Sequence, residues 1–275
     1  MPSPTQRTVL VTGASSGIGE ATARSFLERG WTVYAAARRT EKMESLARVG
    51  ALVQPLDVTC EASIAALVSR IEADHGHLEV LVNNAGIGVY GSVEEVPMEE
   101  ARRQFEVNLF GIARLTQLVL PAMRAARSGT IVNVSSIGGR VYTPMGAWYH
   151  ASKHALEGWS DCLRLEVAPF GIHVVVVEPG AIETEFAEIA ITPLLERSEG
   201  GPYAAFAGRM AAATRRAYLD KKASPPDLIA CIIRKAVESK RPKTRYVAGY
   251  LGKPVIWARR LLGDRGFDWM VRRFL

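Results

Sequence analysis

The segment YHASK, residues 149–153, places a tyrosine and a lysine four positions apart. On a helix this spacing is about one turn, so the phenol of Tyr149 and the ammonium of Lys153 would point the same way. Such a pair could act on one ligand, with the phenol exchanging a proton and the cation stabilising negative charge. The same spacing also arises by chance on helix surfaces. The rest of the chain must therefore decide between an active site and a surface turn.

A glycine-rich segment near the start, TGASSGIG at residues 12–19, has the composition of a phosphate-binding turn. Gly13, Gly17 and Gly19 would let the backbone turn tightly and approach a pyrophosphate closely. The helix that opens there would offer free N–H groups and the positive end of its dipole. Glycines also occur in purely structural turns, but the apolar run before the loop and the helical pattern after it favour phosphate binding.

The end of the second apolar run, AAARR at residues 35–39, bears on which dinucleotide would bind. An NAD site normally has a carboxylate here for the ribose 2′-hydroxyl, whereas a 2′-phosphate favours arginine. Ala37 has no carboxylate and Arg38 follows it, so the sequence favours NADP over NAD. The alternative is that Arg38 and Arg39 are solvated charges at the start of a helix.

The segments around these residues alternate in a pattern typical of repeated strand–helix units. Apolar runs rich in valine and isoleucine predict buried strands at 8–12, 32–37, 51–56, 80–84, 130–135 and 172–178. Helices are predicted near 17–29, 41–48, 61–75, 98–125 and 147–169. Pro121 is expected to kink or end the fourth helix. Strands without polar alternation fit a parallel sheet covered on both faces, so we predict a doubly wound, Rossmann-type α/β fold.

Length and composition favour a single soluble domain. The chain has 275 residues, 48% of them hydrophobic, and no Pro/Ser/Gly-rich linker divides the sequence. No uncharged apolar run approaches the roughly 18 residues of a membrane-spanning helix. The first residues enter an apolar run without the regions of a secretory signal, which predicts a cytoplasmic protein.

The spacing of the cysteines and the distribution of charge indicate which metals and macromolecules the protein would not bind. Cys60, Cys162 and Cys231 are scattered, with no CxxC pair and no histidine at metal-ligand spacing, so we expect reduced, mostly buried thiols and no metal. The formal net charge is +6, and much of it lies in residues 249–275, which hold six Lys/Arg against two Asp. Because this excess is local, nucleic acid is not expected as a partner.

Six motifs occur in the order and spacing of one known family. They are TGASSGIG, NNAG at 83–86, Asn108, Ser136, YHASK and PGAIET at 179–184, and Ser136 lies thirteen residues before Tyr149. Over roughly residues 7–184 the chain therefore resembles the short-chain dehydrogenase/reductase family. The resemblance implies one Rossmann-fold domain over residues 1–275, and an oxidoreductase that moves a hydride between a nicotinamide and a carbonyl or secondary alcohol. It also favours a catalytic role for the Tyr149–Lys153 pair.

The resemblance implies a role for each of four side chains. Tyr149 would supply the proton that the carbonyl oxygen takes up, while Lys153 would favour the ionised phenol and hold the nicotinamide ribose. Ser136 would donate a hydrogen bond to the carbonyl oxygen as that atom gains negative charge. Asn108 would fix a water behind Lys153, completing a proton route to solvent.

The resemblance also implies a set of cofactor contacts. The dinucleotide would contact Gly13, Ser15, Gly17, Ile18, Gly19, Arg38, Asp57, Val58, Asn83, Ala85, Gly86, Tyr149, Lys153, Pro179, Gly180, Ile182 and Thr184. For Asn83, a structural role in pinning strands together is an equally good interpretation. Ser16 stands where many NADP-dependent members carry a basic residue, so the argument for a 2′-phosphate depends mostly on Arg38.

Apolar bulk near these motifs predicts the substrate pocket. Its candidates are Tyr90, Tyr142, Met145, Trp148 and Phe186, although each could equally be core. Together they favour a hydrophobic ketone, aldehyde or secondary alcohol. The segment RRQFEVNLFG and the basic C-terminus resemble the branch of the family that contains steroid and retinoid dehydrogenases.

Two regions after the last motif are predicted to extend the domain. Residues 185–224 carry mixed helical signals and are expected to form a lid over the carboxyl edge of the sheet. The basic, amphipathic segment 249–275 would be a lid, a packing element or a weak contact with an anionic membrane. Within it, Pro254, Gly263 and Gly266 favour two short helices over one long anchor.

The helices at 98–125 and 147–169 carry apolar residues on more than one face, including Leu115, Leu118, Leu156, Trp159 and Leu163. Family members commonly pair through these helices, which implies a homodimer or homotetramer. A catalytically silent NADP-binding sensor or scaffold of the same fold is the alternative to an enzyme. The complete set of Asn108, Ser136, Tyr149 and Lys153 argues against that alternative.

Overall fold

The computed structural model describes residues 7–218 and 223–274. At its centre lies a seven-stranded parallel sheet with the order β3-β2-β1-β4-β5-β6-β7. The strands are β1 (Thr8–Thr12), β2 (Thr32–Ala37), β3 (Leu52–Pro55), β4 (Val80–Asn83), β5 (Gly129–Val134), β6 (Ile172–Pro179) and β7 (Arg245–Ala248). The strand order reverses between β1 and β4, and in open α/β sheets ligands bind at such a reversal.

Ten α-helices connect and extend the strands within the described ranges. They are α1 (Gly17–Leu27), α2 (Glu44–Arg48), α3 (Glu61–His75), α4 (Met98–Phe105), α5 (Gly111–Ala126), α6 (Ala147–Val167), α7 (Phe186–Ser198), α8 (Ala204–Tyr218), α9 (Pro226–Val237) and α10 (Gly252–Phe274). A π turn at Glu106–Phe110 joins α4 to α5, and a 3₁₀ turn at Ile137–Gly139 follows β5.

The sheet is buried on both faces because alternate side chains of its inner strands enter two separate apolar cores. On β1, Val9 and Val11 belong to a core that includes Phe26 of α1 and Ile233 of α9. Leu10 belongs to the other core, which is built with residues of α3, α5 and α6. Burial on both sides explains why the strands are continuous apolar runs, and the predicted doubly wound fold is confirmed.

Three local features differ from the sequence-based expectation. Strand β7 was not predicted, because RYVA is a short edge strand whose residues are all only partly buried. The helix expected at 98–125 contains the π turn, which no sequence pattern indicated. Helix α5 continues through Pro121 and ends at Ala126, where Arg127 adopts a left-handed φ of 50°. Burial of Val119 and Met123 on either side of the proline holds this helix against the core.

The region expected as a lid folds into α7 and α8, and residues 219–222 within it lie outside the described part. Helix α10 is broken at Gly263, where φ is 62° and ψ is −170°, so the tail forms two helical pieces as its glycines indicated. The side chain of Phe274, and Leu275, lie outside the described part of this tail. No helix in the described ranges is long and apolar enough to cross a membrane.

The cysteines differ from the prediction that most would be buried. Cys60 and Cys162 are exposed, and Cys231 is partly buried. Cys60 directly precedes α3, where the chain leaves the sheet edge for solvent. Cys162 lies on the solvent side of α6, whose neighbouring Leu163 enters the core instead.

Candidate active site

A cleft of about 510 Å³ lies at the carboxyl edge of the sheet, beside the point where the strand order reverses. Its walls come from the ends of the six strands β1 to β6 and from the starts of α1 and α7. Of the predicted cofactor residues, the cleft is lined by Gly13, Ser15, Gly17, Ile18, Arg38, Asp57, Val58, Ala85, Gly86, Tyr149, Lys153, Pro179, Gly180, Ile182 and Thr184. The topology thus brings residues from nearly the whole chain to one surface.

The loop after β1 has no room for side chains at its glycines. Gly13 and Gly17 have φ values of 67° and 54°, a backbone region that residues with a Cβ rarely adopt. A Cβ on Gly19 would lie 2.2 Å from the carbonyl oxygen of Gly13, and one on Gly17 would lie 2.8 Å from Thr184. The bare backbone and the N-terminus of α1 therefore form a cradle that fits a pyrophosphate.

A second loop, NNAG, is fastened to the end of β1 by hydrogen bonds. The hydroxyl of Thr12 accepts from the backbone N–H groups of Asn84 and Ala85, both at 3.0 Å. The Asn84 amide also donates to the Thr12 carbonyl at 2.9 Å. These contacts hold Ala85 and Gly86 in the wall of the cleft, next to the glycine cradle.

At the outer end of the cleft, charged side chains are largely exposed. Arg38 and Arg39 follow β2, and the Arg39 guanidinium lies 3.5 Å from the Ser15 hydroxyl. Asp57 accepts hydrogen bonds from the Thr59 N–H and hydroxyl at 2.9 and 2.7 Å. These bonds are the main cause of a lowered pKa of Asp57, and nearby Arg38 adds to it. This end could hold an adenosine and an additional phosphate.

At the inner end, Lys153 and Tyr149 lie on α6, as their spacing predicted. Lys153 is 5% exposed, and its Nζ donates to the Val134 carbonyl at 2.9 Å. Burial lowers the pKa of Lys153 to about 8, while the carboxylate of Glu157 acts in the opposite direction. The lysine therefore changes its charge within a unit or so of neutral pH.

The phenol of Tyr149 is buried in an aromatic environment. Its ring stacks on Tyr90 with centroids 5.5 Å apart, and Phe186 lies at the same distance with a tilted ring. Burial raises the pKa of Tyr149, and a hydrogen bond with Ser136 lowers it. Lys153, Ser136 and Tyr149 all line the inner end of the cleft. The phenol is therefore held protonated beside a hydroxyl and a cation.

Asn108 is fully buried in the π turn between α4 and α5. Its side-chain oxygen accepts from the Ile87 N–H at 2.9 Å, and its amide donates to the Ile87 carbonyl at 3.0 Å and to Ser152 Oγ at 3.1 Å. It thereby ties the loop after NNAG to α6 one residue before Lys153. Widened helical turns often occur at functional sites, and this one points an amide at the lysine-bearing helix.

The loop that carries Ser136 is fixed by a histidine that the sequence did not single out. Ser136 Oγ accepts from the Gly138 N–H at 3.0 Å. His150 Nε2 accepts from the Thr143 N–H at 3.0 Å, so its Nδ1 donates to the Gly138 carbonyl at 2.9 Å. Burial lowers the pKa of His150, which keeps the ring neutral in this bridging role. Only its position next to Tyr149 could have drawn attention to it.

Some predicted residues lie away from the cleft surface. Gly19 packs against Gly13 beneath the cradle. Asn83 is buried and donates to Asn133 at 2.9 Å and to Thr116 at 3.3 Å, which joins β4 to β5 and α5. This is the strand-pinning arrangement that was one of its two interpretations.

The predicted substrate residues divide into two groups. Tyr90 and Phe186 surround the phenol of Tyr149, as described above. Tyr142 instead donates to Asp268 at 2.8 Å and packs on Phe267, both of α10, so it anchors the tail. Met145 packs with Leu194, Ala207 and Met210 of α7 and α8, while Trp148 is not among the residues that line the cleft.

Two of the cleft residues that were not predicted bring polar groups from helices α8 and α4. Tyr218 reaches it from the last position of α8, and Arg103 reaches it from α4 near Asp57. Neither belongs to a local motif, because each is brought to the cleft only by the packing of helices outside the β1–β4 unit. Burial raises the pKa of Tyr218, so it adds a neutral phenol to the inner end.

Comparisons with known proteins agree with this geometry. Residues 7–192 match the family model for short chain dehydrogenases. A 3-ketodihydrosphingosine reductase of Bacteroides thetaiotaomicron is 43% identical over 180 residues, which cover 66% of this chain and 65% of that protein. An NADPH-dependent 3-dehydrocapnine reductase of Ornithobacterium rhinotracheale is 35% identical over 95% of both chains.

A solved structure gives the same result. A short-chain dehydrogenase from Streptomyces avermitilis superposes with a TM-score of 0.76 at 37% identity, covering 89% of this chain and 88% of that one. The alignment to the Bacteroides reductase spans less than two thirds of that protein, whereas the Streptomyces structure matches most of the fold. The cleft, its glycine cradle and these matches together place the chain in the short-chain dehydrogenase family, whose members are oxidoreductases that act on alcohol and carbonyl groups with a nicotinamide cofactor.

Proposed function

We propose that this protein uses NADP(H) to interconvert a lipophilic ketone or aldehyde and its alcohol. The observation that carries the proposal is the inner end of the cleft, where a buried phenol lies beside a hydroxyl, a buried lysine and two aromatic rings. Tyr149, Ser136 and Lys153 supply the polar groups, Phe186 supplies an apolar wall, and Tyr90 stacks on the phenol ring from behind the cleft surface. A pocket with few polar groups on an apolar wall fits a hydrophobic molecule with one polar reacting group.

In reduction, the bound nicotinamide supplies the hydride, and the protein supplies the proton and the environment. Tyr149 holds that proton because burial raises the pKa of its phenol, and it donates the proton to the carbonyl oxygen. The hydroxyl of Ser136 donates a hydrogen bond to the same oxygen as negative charge builds up there. The ammonium of Lys153 favours the phenolate that remains. Tyr90 and Phe186 exclude water from around these groups.

The outer end of the cleft supports a preference for NADP(H). Arg38 and Arg39 line it and no carboxylate stands at Ala37, where an NAD site would place one. Arg103 adds a third cation near Asp57. The relative from Ornithobacterium rhinotracheale is named as NADPH-dependent, in keeping with this assignment.

The substrate class is proposed from the aromatic wall and from two relatives. One is named for 3-ketodihydrosphingosine and the other for 3-dehydrocapnine, and both names describe reduction of a carbonyl at carbon 3. A ketone near the polar end of a long apolar molecule would put its oxygen beside Tyr149 and its chain along Phe186. Helices α7 and α8 would then act as the lid over that chain.

A substrate panel tests the proposal. Purified protein is mixed with NADPH or NADH and with 3-keto compounds of increasing chain length, and the loss of reduced cofactor is followed by absorbance. We expect kcat/KM to rise with chain length and to be higher with NADPH. A preference for short polar carbonyls would contradict the substrate class. Cofactor binding without turnover of any carbonyl or alcohol would favour the silent sensor or scaffold instead.

A second candidate function, contact with an anionic membrane, is supported by the surface of α10. Trp257, Leu261 and Trp269 are 55%, 77% and 65% exposed. The guanidinium of Arg260 lies 5.7 Å from the Trp257 ring centroid, and that of Arg273 lies 5.9 Å from Trp269. Exposed tryptophans beside arginines suit the boundary between lipid headgroups and acyl chains. A surface of this kind would bring the enzyme to the membrane in which a lipophilic substrate is dissolved.

Vesicle co-sedimentation tests this contact. We expect full-length protein to bind vesicles that contain anionic lipid and to be released by salt. Trp257→Ala/Trp269→Ala should weaken binding, and so should Arg260→Glu/Arg273→Glu. The control Arg48→Glu/Arg70→Glu makes the same change in net charge on α2 and α3. Equal loss of binding in the control and in the α10 charge variant would contradict a specific role for α10.

We also propose that the protein forms a homo-oligomer through the helices around α5 and α6. Leu115, Leu156 and Leu163 enter the core of their own subunit, so they are not available to a partner. Phe110 and Leu165 are 53% and 71% exposed on the π turn and α6, and they are better candidates for contact. Light scattering at micromolar concentration should give the mass of a dimer or tetramer, and a monomer mass would contradict the proposal.

A further inference from the structure

Behind the inner end of the cleft lies a buried cluster of charges that the proposed reaction does not use. Glu157 lies on α6 one turn after Lys153, and its side chain is 7% exposed. Glu178 lies near the end of β6, directly before the cleft residue Pro179, and its side chain is 2% exposed. Fully ionised carboxylates at such depth are costly unless they are paired.

Two arginines from other parts of the chain face these carboxylates. Arg245, the first residue of β7, lies 3.0 Å from a Glu157 oxygen, 3.2 Å from Glu178 Oε1 and 2.6 Å from Asp161. Arg140, after the 3₁₀ turn, lies 3.3 Å from the same oxygen of Glu178 but is 42% exposed. Asp161 also pairs with Arg164 on the outer side of α6. One partly buried guanidinium, whose side chain is 23% exposed, is therefore shared among three carboxyl groups.

The two glutamates converge on one nitrogen. Arg245 Nε lies 3.0 Å from Glu157 Oε2 and 3.2 Å from Glu178 Oε1, so two buried carboxyl groups share a single N–H donor. Two carboxyl groups this close can hydrogen-bond to each other only when one carries a proton. Glu157 Oε1 is buried and has no hydrogen-bond donor among the described residues. A proton held between the two groups would supply the missing donor and remove one buried negative charge.

The cluster contacts the loop that starts at Ser136 as well as helix α6, which carries Lys153. A Cβ on Gly139 would lie 2.9 Å from Glu157 Cγ and 3.0 Å from the carbonyl oxygen of Lys153. The loop that starts at Ser136 thus packs directly on Glu157, with no room for a side chain between them. A change of charge on the glutamates would therefore alter the electrostatic environment of both Lys153 and the loop that carries Ser136.

We propose that Glu157 and Glu178 hold one proton in common and act as positioning residues that keep Lys153 in its ammonium form. The role assigned to the lysine rests on the proposed function, whereas the shared proton is a property of the protein alone. Neither glutamate lines the cleft, so neither would touch substrate or cofactor.

The direction of the effect follows from the charges. Burial, followed by the nearby charge of Glu157, raises the pKa of Glu178 to about 7, against the opposing effects of Arg140 and Arg245. Burial lowers the pKa of Lys153 to about 8, and Glu157 raises it. As the pH rises through about 7, the pair releases its proton and gains a negative charge. That charge favours the ammonium of Lys153 over the range in which burial alone would remove its proton.

The first test compares pH profiles of kcat/KM with the best carbonyl from the substrate panel. Glu157→Gln should move the alkaline limb to lower pH by about 1 unit, the scale of one close charge, because Glu157 is the carboxylate that acts directly on Lys153. Glu178→Gln removes the more distant charge and should move the limb in the same direction by less. The matched control is Asp161→Asn, which removes a carboxylate from the same Arg245 but none that acts on Lys153. Its profile should coincide with that of the wild type. Glutamine variants with lower kcat but an unmoved limb would overturn the proposal, because they would mark a purely structural cluster.

The second test uses wild-type protein without cofactor, so it is independent of turnover and of variants that fail to fold. Infrared difference spectra over a pH titration, with ¹³C-labelled glutamate to assign the signal, should reveal one buried protonated carboxyl that disappears as the pH rises through about 7. If no protonated glutamate is seen near pH 6, the shared proton is wrong even if the enzyme is active. If the signal is present but no carbonyl is reduced, the proposed function fails while the shared proton stands.

Discussion

The two ends of the cleft handle charge in opposite ways. At the inner end, Tyr149 and Lys153 are 8% and 5% exposed, and burial moves the pKa of each away from its usual value. At the outer end, Arg38 and Arg39 are exposed, and the carboxylate of Asp57 is held by hydrogen bonds from a neighbouring turn. The inner end therefore holds its ionisable groups in a low dielectric, and the outer end holds its charges in contact with water.

This difference sets the size of the effect that a substitution can have. A charge or proton at the buried end interacts strongly with its neighbours, because little water screens it. An exposed ion pair is worth about 0–1 kcal/mol, because solvent and salt weaken it. Equal chemical changes at the two ends should therefore have very unequal consequences.

The largest effect is expected at the buried phenol. Tyr149→Phe keeps the ring that stacks on Tyr90 but removes the proton, so kcat should fall by at least ~10²-fold with little change in cofactor affinity. Steady-state kinetics and cofactor titration measure the two quantities. Tyr142→Phe is the control, since it loses a hydroxyl outside the cleft and should retain activity. Near-normal turnover by Tyr149→Phe would contradict the expectation that substitutions at the buried inner end have larger effects than those at the exposed outer end.

Lys153→Met should separate activity from stability. A lysine whose pKa is lowered from 10.5 to about 8 by burial costs about 3 kcal/mol of folding free energy at neutral pH. The variant should lose turnover and cofactor affinity, yet unfold at a higher temperature than the wild type. The penalty is fully present below pH 8 and fades as the pH rises to 10.5, so the stability advantage should shrink over that window.

Thermal unfolding of both proteins between pH 7 and 10 checks this prediction. Lys235→Met on α9 is the control, because that lysine is exposed and has no desolvation cost to remove. A Lys153→Met protein that is less stable than wild type at pH 7 would mean that the bond from Nζ to the Val134 carbonyl outweighs the cost of burial.

The sequence predicted the motif residues of the cleft better than it predicted the contacts around them. The glycine cradle, NNAG, Ser136 and the Tyr149–Lys153 pair lie at the ends of short apolar strands, where local pattern and motif coincide. Strand register then brings them together without further information, because parallel strands end at one edge. Six of the seven strands were accordingly predicted to within a residue or two.

What the sequence did not predict depends on contacts between distant segments. Arg140, Glu157, Glu178 and Arg245 meet only because β6 lies between β5 and β7 in the sheet. Each of these residues would pass for a surface charge in its own segment. The anchoring of Tyr142 on α10 has the same origin: a loop and a tail more than a hundred residues apart share one hydrogen bond.

A smaller effect is expected at the exposed end. Arg38→Ala should reduce the preference for NADPH over NADH by about 10- to 100-fold, since a charge-assisted contact contributes ~1.5–3 kcal/mol. Titration of each cofactor by fluorescence measures the preference, and kcat with saturating NADPH should change little. Arg48→Ala, an exposed arginine on α2 outside the cleft, is the control. Equal affinity of the wild type for both cofactors would contradict the assignment of NADP(H).

The smallest effect is expected at Glu185, just before α7. Its carboxylate lies 3.6 Å from Arg39 and 3.3 Å from Lys42, and all three side chains are at least 43% exposed. At this position the acid would compete with the 2′-phosphate of the proposed NADP(H) for the same cations. Glu185→Gln should therefore raise NADPH affinity, but by less than about 5-fold, and leave NADH affinity unchanged.

Salt and a matched variant make this last prediction decisive. The gain from Glu185→Gln should disappear at about 1 M salt, where the screening length is about 3 Å. Glu188→Gln, in the first turn of α7 and 3.9 Å from Arg215, removes an equally exposed carboxylate and should leave both affinities unchanged. A gain in NADPH affinity as large as the loss caused by Arg38→Ala would mean that solvent does not screen the outer end. The contrast between a dry inner end and a wet outer end would then have to be abandoned.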